Sequence, residues 1–268
     1  MATVDTKFVG SIPEIYDTHL VPMIFEPYAT DLARRLQAIA PKHILEIAAG
    51  TGAVTRAVAA ALPHASIVAT DLNAPMIEQA KSRQPDERIQ WRTADALTLP
   101  FPDEYFDAVV CQFGAMFFPD KVKGYSEARR VLRPGGTYLF NVWDKIETNE
   151  PINTAVQALA RVFPQDPPRF MQRTPHGYHD HDVIRRELNA AGFADVTIDA
   201  VDFVCRAASA RSAVYAYFEG SPLKPEIEAR GAPGMQAAIA TATEAVEKKF
   251  GIGPIEGNIR AYVVTARH

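Results

Sequence analysis

Residues 45–55 have the sequence LEIAAGTGAVT, an apolar run followed by a loop of small residues and the start of an amphipathic segment. This order predicts a buried strand, a tight loop and a helix. Glycine at positions 50 and 52 lets the backbone approach a ligand closely, because a side chain there would occupy the ligand's space. A strand-to-helix turn without any ligand is the alternative interpretation.

The rest of the chain repeats this alternation of short apolar runs with longer segments of helical spacing. The strand candidates are residues 44–47, 67–69, 89–91, 108–111, 138–142, 196–204 and 259–265. Such alternation is typical of βαβ units, in which helices cover both faces of a parallel sheet. The sequence therefore predicts an α/β fold with a doubly wound, seven-stranded, mostly parallel sheet and helices on both faces.

Turn residues predict several helix boundaries. Asp180 begins one helix and Gly192 ends it. Residues 134–136, with the sequence PGG, predict a helix stop followed by a tight turn.

Two stretches interrupt the alternation. Residues 144–178 contain five prolines and a short helix candidate at 153–162, whereas residues 209–250 have a broken helical pattern. We expect a single domain over residues 1–268, with 144–178 and 209–250 as small helical insertions on the substrate side.

Composition limits the classes of function. Lysine and arginine number 28 against 32 acidic residues, which gives a formal charge of −4 without a basic block, so we expect no nucleic-acid partner. Cys111 and Cys205 stand alone in strand candidates, and we expect inert core thiols. We find no signal sequence and no apolar run of ~20 residues, so we expect a cytoplasmic protein without integral membrane association. The sequence leaves a homodimer open.

Asp71 ends the second strand, about 20 residues beyond the loop, where a doubly wound sheet places a carboxylate against the ribose hydroxyls of an adenosine. A helix N-cap beside Asn73 is the alternative, and the two roles are compatible. Thr55 stands near the position of the third glycine of a dinucleotide-binding loop, and Glu46 suits an ammonium group better than a pyrophosphate.

Five segments resemble, in order and spacing, the motifs of class I S-adenosylmethionine-dependent methyltransferases: residues 46–55, 71–76, 95–96, 107–118 and 130–136. The chain is most similar to the small-molecule branch that includes ubiquinone and menaquinone biosynthesis enzymes. The resemblance covers residues 40–143, and 178–204 more loosely. It implies a Rossmann-like methyltransferase fold, S-adenosylmethionine as donor, S-adenosylhomocysteine as product and a small-molecule acceptor.

The resemblance also implies a set of cofactor-binding residues. Glu46 and the loop backbone would hold the methionine moiety, Asp71 the ribose, and Asp95 the adenine amino group. The N-terminal segment, residues 1–30, resembles a lid whose aromatic residues close over the cofactor, with core packing as the alternative. Ala48 replaces the family's first loop glycine. The full set is Tyr16, Phe25, Glu46, Ala48, Gly50, Thr51, Gly52, Asp71, Leu72, Met76, Asp95, Ala96, Gln112 and Phe113.

Methyl transfer is an in-line displacement at a carbon that the sulfonium already activates, so a general base is needed only if the acceptor must lose a proton early. No catalytic residue can therefore be assigned, and His19, Asp144 and His179 are candidates for a base. No metal site is expected. We predict an acceptor pocket under residues 144–170 and 178–181, with walls from Phe117, Phe118, Trp143 and Tyr178.

Two other classes of function stay open for the sequence. One is an NAD-dependent oxidoreductase, and the other is a non-catalytic module that binds S-adenosylmethionine.

Overall fold

Seven strands form one sheet in the part of the chain that the computed structural model describes, residues 4–83 and 86–268. The first three residues of the predicted lid, 1–3, lie outside it. The strands are β1 His43–Ile47, β2 Ser66–Asp71, β3 Ile89–Thr93, β4 Phe106–Gln112, β5 Leu132–Trp143, β6 Asp195–Ala207 and β7 Ile255–Arg267.

Helices connect these strands. The α-helices are α1 Ile12–Ile15, α2 Glu26–Ile39, α3 Ala53–Ala61, α4 Ala74–Arg83, α5 Lys121–Val131, α6 Glu150–Val162, α7 Phe170–Arg173, α8 His181–Ala190, α9 Ala210–Glu219, α10 Leu223–Glu228 and α11 Gly234–Phe250. A π-helix covers Tyr16–Phe25 and contains Pro22. Short 3₁₀ turns cover Val4–Thr6, Ala115–Phe117 and Ile146–Thr148.

The strand order across the sheet is β3-β2-β1-β4-β5-β7-β6. The pairs β1–β2, β1–β4, β2–β3 and β4–β5 are all parallel. The start of β5 pairs with the end of the chain, through Gly135 N–H donating to His268 O at 2.9 Å, while Asp144 N–H donates to Arg260 O at 3.1 Å. The strand β7 therefore runs antiparallel to β5. The carboxyl ends of β1 to β4 all lie at one edge.

Alternation along β5 shows that helices pack on both faces of the sheet. Leu139 belongs to a buried cluster that includes Leu32 of α2 and Val58 of α3. Its neighbours Tyr138 and Phe140 contact Tyr125 of α5, with ring centroids 5.9 and 5.4 Å apart. Because successive strand residues point to opposite faces, α2 and α3 cover one face and α5 covers the other. The predicted doubly wound fold is confirmed.

The chain forms two compact units. The sheet unit comprises Glu26–Val142, Tyr178–Val201 and Ala261–His268, and the helical unit comprises the chain up to Phe25 together with Trp143–Gly177 and Asp202–Arg260. In the helical unit, α11 packs on α6 and α9 through buried residues such as Ala238, Ala242 and Val246. The division of the chain into a lid and two insertions stays a prediction.

One predicted boundary is wrong in part. The helix α5 stops before the PGG segment, but β5 begins at once, because buried Leu132 pairs with Phe106 of β4. The next pair in the register is Ala108 with Thr137, so residues 133–136 bulge from the strand opposite Asp107. The tight turn predicted before the strand is a bulge within it.

The other boundaries agree with the sequence. The Asp180 carboxylate accepts hydrogen bonds from Asp182 N–H and Val183 N–H at the start of α8, and Gly192 follows that helix with φ of 94°. The predicted strands 196–204 and 259–265 are the centres of the longer β6 and β7. Polar residues alternate with apolar ones along both strands, so the apolar runs in the sequence marked only the central part of each strand.

Candidate functional site

The loop after β1 turns sharply through three residues with left-handed backbone. Ala48, Gly50 and Gly52 have φ of 54°, 55° and 81°. Ala49 N–H donates to Thr70 O at 2.8 Å, which fixes the loop against the end of β2. The loop backbone is therefore held at the carboxyl edge of the sheet, where ligands bind in open α/β sheets.

Packing within the protein is a further reason for glycine at position 52. A Cβ atom on Gly52 would lie 2.6 Å from Cη2 of Trp91, a side chain of β3. The space beside Gly52 is filled by this indole, so protein packing excludes a side chain there.

Glu46 is a buried carboxylate on β1. It accepts a hydrogen bond from the Thr55 hydroxyl, and it forms no ion pair with any residue in the ranges 4–83 and 86–268. Burial raises the pKa of Glu46 to about 8. The charge of Arg56 opposes this shift in part, and a buried carboxylate without a direct ion pair fits a ligand that brings its own ammonium group.

Asp71 joins the loop to the next helix. Its Oδ2 accepts from Gly50 N–H at 2.9 Å, and its Oδ1 accepts from Asn73 N–H at 2.7 Å and from Asn73 Nδ2 at 3.3 Å. Burial raises the pKa of Asp71. A carboxylate accepts about four hydrogen bonds, so Asp71 retains capacity for a further donor beside its structural contacts.

The adenine-side residues predicted from the sequence follow β2 and β3. Leu72 is 45% exposed although it is apolar, whereas Met76 is buried. Asp95 is exposed, and its Oδ1 accepts from Leu97 N–H at 2.9 Å. Ala96 lies in the same turn. Asp71 and Asp95 thus follow the neighbouring strands β2 and β3 at the carboxyl edge.

Two buried oxygen atoms near the loop and β4 have no hydrogen-bond partner in the described chain: Thr51 Oγ1 and Gln112 Oε1. Buried polar atoms are normally paired, so unpaired ones mark a place that a polar ligand completes. Phe113 follows Gln112 with φ of 51°, and its N–H donates to Asn141 Oδ1 at 2.9 Å. These two unpaired oxygen atoms fit a polar ligand of the S-adenosylmethionine type.

Asn141, Trp91 and the Thr55–Glu46 hydrogen bond were not predicted as parts of the site. Only Asn141 gave a signal in the sequence, as an amide within the otherwise apolar run 138–142. The two other contacts depend on packing between separate elements.

The predicted acceptor walls lie in both units. In the sheet unit, Phe118 is buried against Tyr125, and Phe117 is half-buried. The Tyr178 hydroxyl is hydrogen-bonded to Tyr125 and to Glu187, so it ties α8 to α5.

In the helical unit, four aromatic side chains form a row, and three of them were predicted for the cofactor or acceptor site. Tyr16 stacks on Phe25 at 5.0 Å, Phe25 lies 6.0 Å from Trp143, and Trp143 lies 5.9 Å from His176. The row brings together the two aromatic residues predicted for the lid and the tryptophan predicted for the acceptor pocket.

The candidates for a base differ in their surroundings. The Asp144 carboxylate accepts from Lys145 N–H at 2.6 Å and from the Thr148 hydroxyl at 3.0 Å, so it orders the turn that follows β5. His19 contacts Tyr215, and His179 is half-exposed. His176 is buried and donates Nδ1–H to Asp144 O at 2.8 Å.

Cys111 and Cys205 are free and buried, as predicted. Burial raises the pKa of Cys111 to about 12 and that of Cys205 to about 11. In residues 4–83 and 86–268, no group of three or more His, Cys, Asp or Glu side chains is arranged to hold a metal ion.

An open groove of about 610 Å³ lies at the opposite, amino edge of the sheet. Lys42, Asp107, Arg133 and Arg267 contribute to its walls. It is separate from the loop and carboxylates described above.

The fold places the chain in the class of Rossmann-like enzymes, and comparison with known proteins identifies the family. Residues 45–140 match the family model described as "Methyltransferase domain". A demethylmenaquinone methyltransferase of Clavibacter sepedonicus is 30% identical over 61% of this chain and 70% of its own. A ubiquinone/menaquinone biosynthesis C-methyltransferase of Caulobacter vibrioides is 32% identical over 62% and 73%.

A solved structure supports the fold. The YcgJ protein of Bacillus subtilis superposes with a TM-score of 0.54 at 17% identity, over 88% of this chain and 97% of that one.

The chain belongs to the class I S-adenosylmethionine-dependent methyltransferases. Within them it resembles the ubiquinone/menaquinone biosynthesis branch. It transfers a methyl group from an S-adenosylmethionine-type donor to a small-molecule acceptor, and the comparisons favour neither the oxidoreductase nor the non-catalytic module. No helix in the described ranges combines the length and the apolar character needed to cross a membrane.

Proposed function

We propose that the loop after β1, with Glu46, Asp71 and Asp95, binds S-adenosylmethionine, and that the acceptor is a hydroxylated aromatic ring of the quinol class. The observation that carries the first part is the hydrogen bond between Asp71 and Gly50, which fixes a buried carboxylate beside the open loop backbone. The names of the two relatives support the second part.

Each residue of the cradle has a chemical task in this proposal. Asp71 accepts a hydrogen bond from a ribose hydroxyl, and Glu46 faces the donor's ammonium group. Asp95 accepts from the adenine amino group, while Leu72 and Met76 flank the adenine. Gln112 and Phe113 line the region of the sulfonium.

The bound donor supplies a methyl carbon activated by positively charged sulfur, and S-adenosylhomocysteine is the product. The chain must hold the donor rigidly and keep water away from it. Thr55 restrains Glu46 by a hydrogen bond, and Asn141 restrains the backbone of Phe113. Residues held in this way lose little freedom on binding, which favours alignment.

An aromatic acceptor suits the side chains available. Phe117 and Phe118 follow β4 in the sheet unit, and the row from Tyr16 to His176 gives the helical unit a set of largely buried aromatic side chains. The roles of Tyr16, Phe25, Trp143 and Tyr178 toward ligands stay predictions, as do those of His19, His179 and Asp144 as a base.

The donor site is tested by the Asp71→Asn variant. Loss of a charged acceptor for a ribose hydroxyl should weaken binding of S-adenosylhomocysteine by at least about tenfold in isothermal titration. Asp107→Asn is a matched control, because Asp107 also accepts backbone N–H groups but lies at the amino edge. Wild-type affinity in a folded Asp71→Asn variant would contradict the proposal.

The acceptor is tested by incubation with methyl-labelled donor and a short-chain demethylmenaquinone kept reduced as its quinol. We expect label on a ring carbon, identified by mass spectrometry. Simple amines and phenols serve as competing acceptors. Transfer to an amine with none to the quinol would contradict the quinol assignment and leave the donor site intact.

A further inference from the structure

Residues 94–103, which follow β3, are held against α5 by two side chains of that helix, Glu127 and Arg130. Neither residue belongs to the proposed donor or acceptor site. Leu99 N–H donates to Glu127 Oε2 at 2.9 Å, and Leu99 O accepts from Arg130 Nη2 at 2.9 Å. Both polar groups of one buried backbone residue are therefore satisfied by a single pair of side chains on the helix.

Arg130 extends this attachment along the segment. Its Nη1 donates to Phe101 O at 2.8 Å and to Asp103 Oδ1 at 2.7 Å. Its Nη2 also donates to Glu127 Oε2 at 2.8 Å. A planar guanidinium can serve these acceptors together, whereas a lysine ammonium at the same position cannot.

Glu127 is itself a constrained group. Only 7% of the residue is exposed, and the hydrogen bond from Arg130 lowers the pKa of its carboxyl to about 2. The carboxylate is thus ionised over the whole working range of pH, and Leu99 N–H always has an acceptor.

The attachment point lies one residue beyond the turn that carries Asp95. Thr98 N–H donates to Asp95 O at 3.0 Å, and Leu97 N–H donates to the Asp95 carboxylate. Asp95 and Thr98 form an isolated bridge. Because Asp95 is exposed, these hydrogen bonds within the turn orient it, and the fixed Leu99 backbone restrains that turn.

We infer that Glu127 and Arg130 are positioning residues for recognition of the donor's adenine, acting through Leu99 on Asp95. The inference rests on the proposed function, since it needs Asp95 to contact the adenine amino group. Removing this attachment should reduce the preference for a purine that carries the amino group. It should have a smaller effect on the affinity for the rest of the donor.

The test uses S-adenosylhomocysteine and S-inosylhomocysteine, which differ at the purine 6-position. The inosine compound lacks the amino group. Wild-type protein should prefer S-adenosylhomocysteine by about tenfold, the value of one hydrogen bond to a charged acceptor. Arg130→Lys should reduce this ratio to about threefold or less, and Glu127→Gln, which removes the negative charge that holds Arg130, should reduce it in the same direction.

Arg133→Lys is the matched control. Arg133 also pairs with an aspartate, Asp107, at 2.7 Å, but at the amino edge of the same unit. It should keep the wild-type ratio. A role in stability alone would lower the affinity for both ligands equally and leave the ratio unchanged.

The outcomes separate the two proposals. If Asp95→Ala loses the preference while folded Arg130→Lys and Glu127→Gln keep it, the positioning role is wrong and the donor site stands. If Asp95→Ala keeps the wild-type preference, Asp95 does not recognise the amino group, and the inference falls with it. Loss of the ratio in all three variants, with Arg133→Lys unchanged, supports the inference.

Discussion

Ala48 shows how closely the loop after β1 packs on its neighbour. It has φ of 54°, a conformation that costs a residue with a side chain about 1 kcal/mol or more. A Cβ atom placed on Gly114 would lie 2.4 Å from Ala48 Cβ and 2.8 Å from Cys111 Sγ. The methyl group that replaces the family's first loop glycine therefore occupies space that Gly114 leaves open.

We predict that Gly114→Ala lowers the free energy of unfolding by about 2 kcal/mol, because it forces extra volume into a filled contact. Adding Ala48→Gly should restore part of this loss, since it removes one of the two clashing atoms. Urea denaturation of both single variants and the double variant measures the coupling. Strictly additive effects would show that the two positions do not share this space.

Glu46 predicts a dependence of stability on pH. Its pKa in the folded protein without donor is about 8, above the ordinary value of 4.5, because burial disfavours the charged form. Its contribution to stability is therefore complete below about pH 4.5 and is lost as pH rises through about 8.

We expect Glu46→Gln to flatten this part of the stability curve. Denaturant midpoints measured from pH 5 to pH 9 cover most of the interval between about 4.5 and 8 and about one unit above it, and they should fall less steeply in the variant than in the wild type. Identical slopes in the two proteins would contradict the raised pKa.

At the scale of elements, Lys121 connects the start of α5 to the turn that follows β4. Its Nζ donates to Phe118 O at 2.8 Å and to Met116 O at 3.3 Å, and it lies 4.8 Å from the centre of the Tyr178 ring. Burial lowers the pKa of this ammonium group.

We predict that Lys121→Met destabilises the protein by about 1–2 kcal/mol, since two carbonyl groups lose a charged donor. Lys123→Met is the control, because Lys123 is exposed and forms an i,i+4 ion pair worth about 0.3–0.5 kcal/mol. Chemical denaturation of both variants tests the difference. Equal effects would mean that the carbonyl contacts of Lys121 contribute nothing.

The elements that the sequence predicted well are those whose signal is local. Residues 45–55 predicted the strand, loop and helix correctly, and Asp180 marked a helix start, because strand period and capping depend on neighbours in the chain. The prediction of a tight turn at the PGG segment was wrong because β5 already begins at Leu132. That residue pairs with Phe106, which lies 26 residues earlier.

The candidate site was predictable to a similar extent. Glu46 and Asp71 lie at the ends of neighbouring strands, as the alternating pattern required. The packing of Trp91 against Gly52 was not predictable, since Trp91 reaches the loop from another strand. The buried setting of His176 also depends on packing, against Trp143 and Asp144, which the sequence does not show.

At the scale of the whole molecule, the chain passes between its two units within three strands. The residues Trp143 at the end of β5, Asp202–Ala207 of β6 and Ile255–Arg260 of β7 belong to the helical unit, and the remainder of each strand belongs to the sheet unit. The helical unit is therefore assembled from three separate stretches of chain and cannot be removed by a single truncation.

The formal charge of −4 leads to a prediction about partners. Without a basic block to release counterions, we expect no measurable binding of duplex DNA or RNA at about 50 mM salt in fluorescence anisotropy. Tight binding that weakens steeply with added salt would contradict the expectation of a small-molecule enzyme without a nucleic-acid partner.

The indole of Trp91 lies against the backbone of Gly52, so the loop after β1 has a fluorescent side chain beside it. The chain has two tryptophans, and the other, Trp143, belongs to the helical unit. A Trp143→Phe variant would therefore carry a single tryptophan, which lies against the loop itself. Its intensity and wavelength would follow loop rearrangement in real time, without any attached dye.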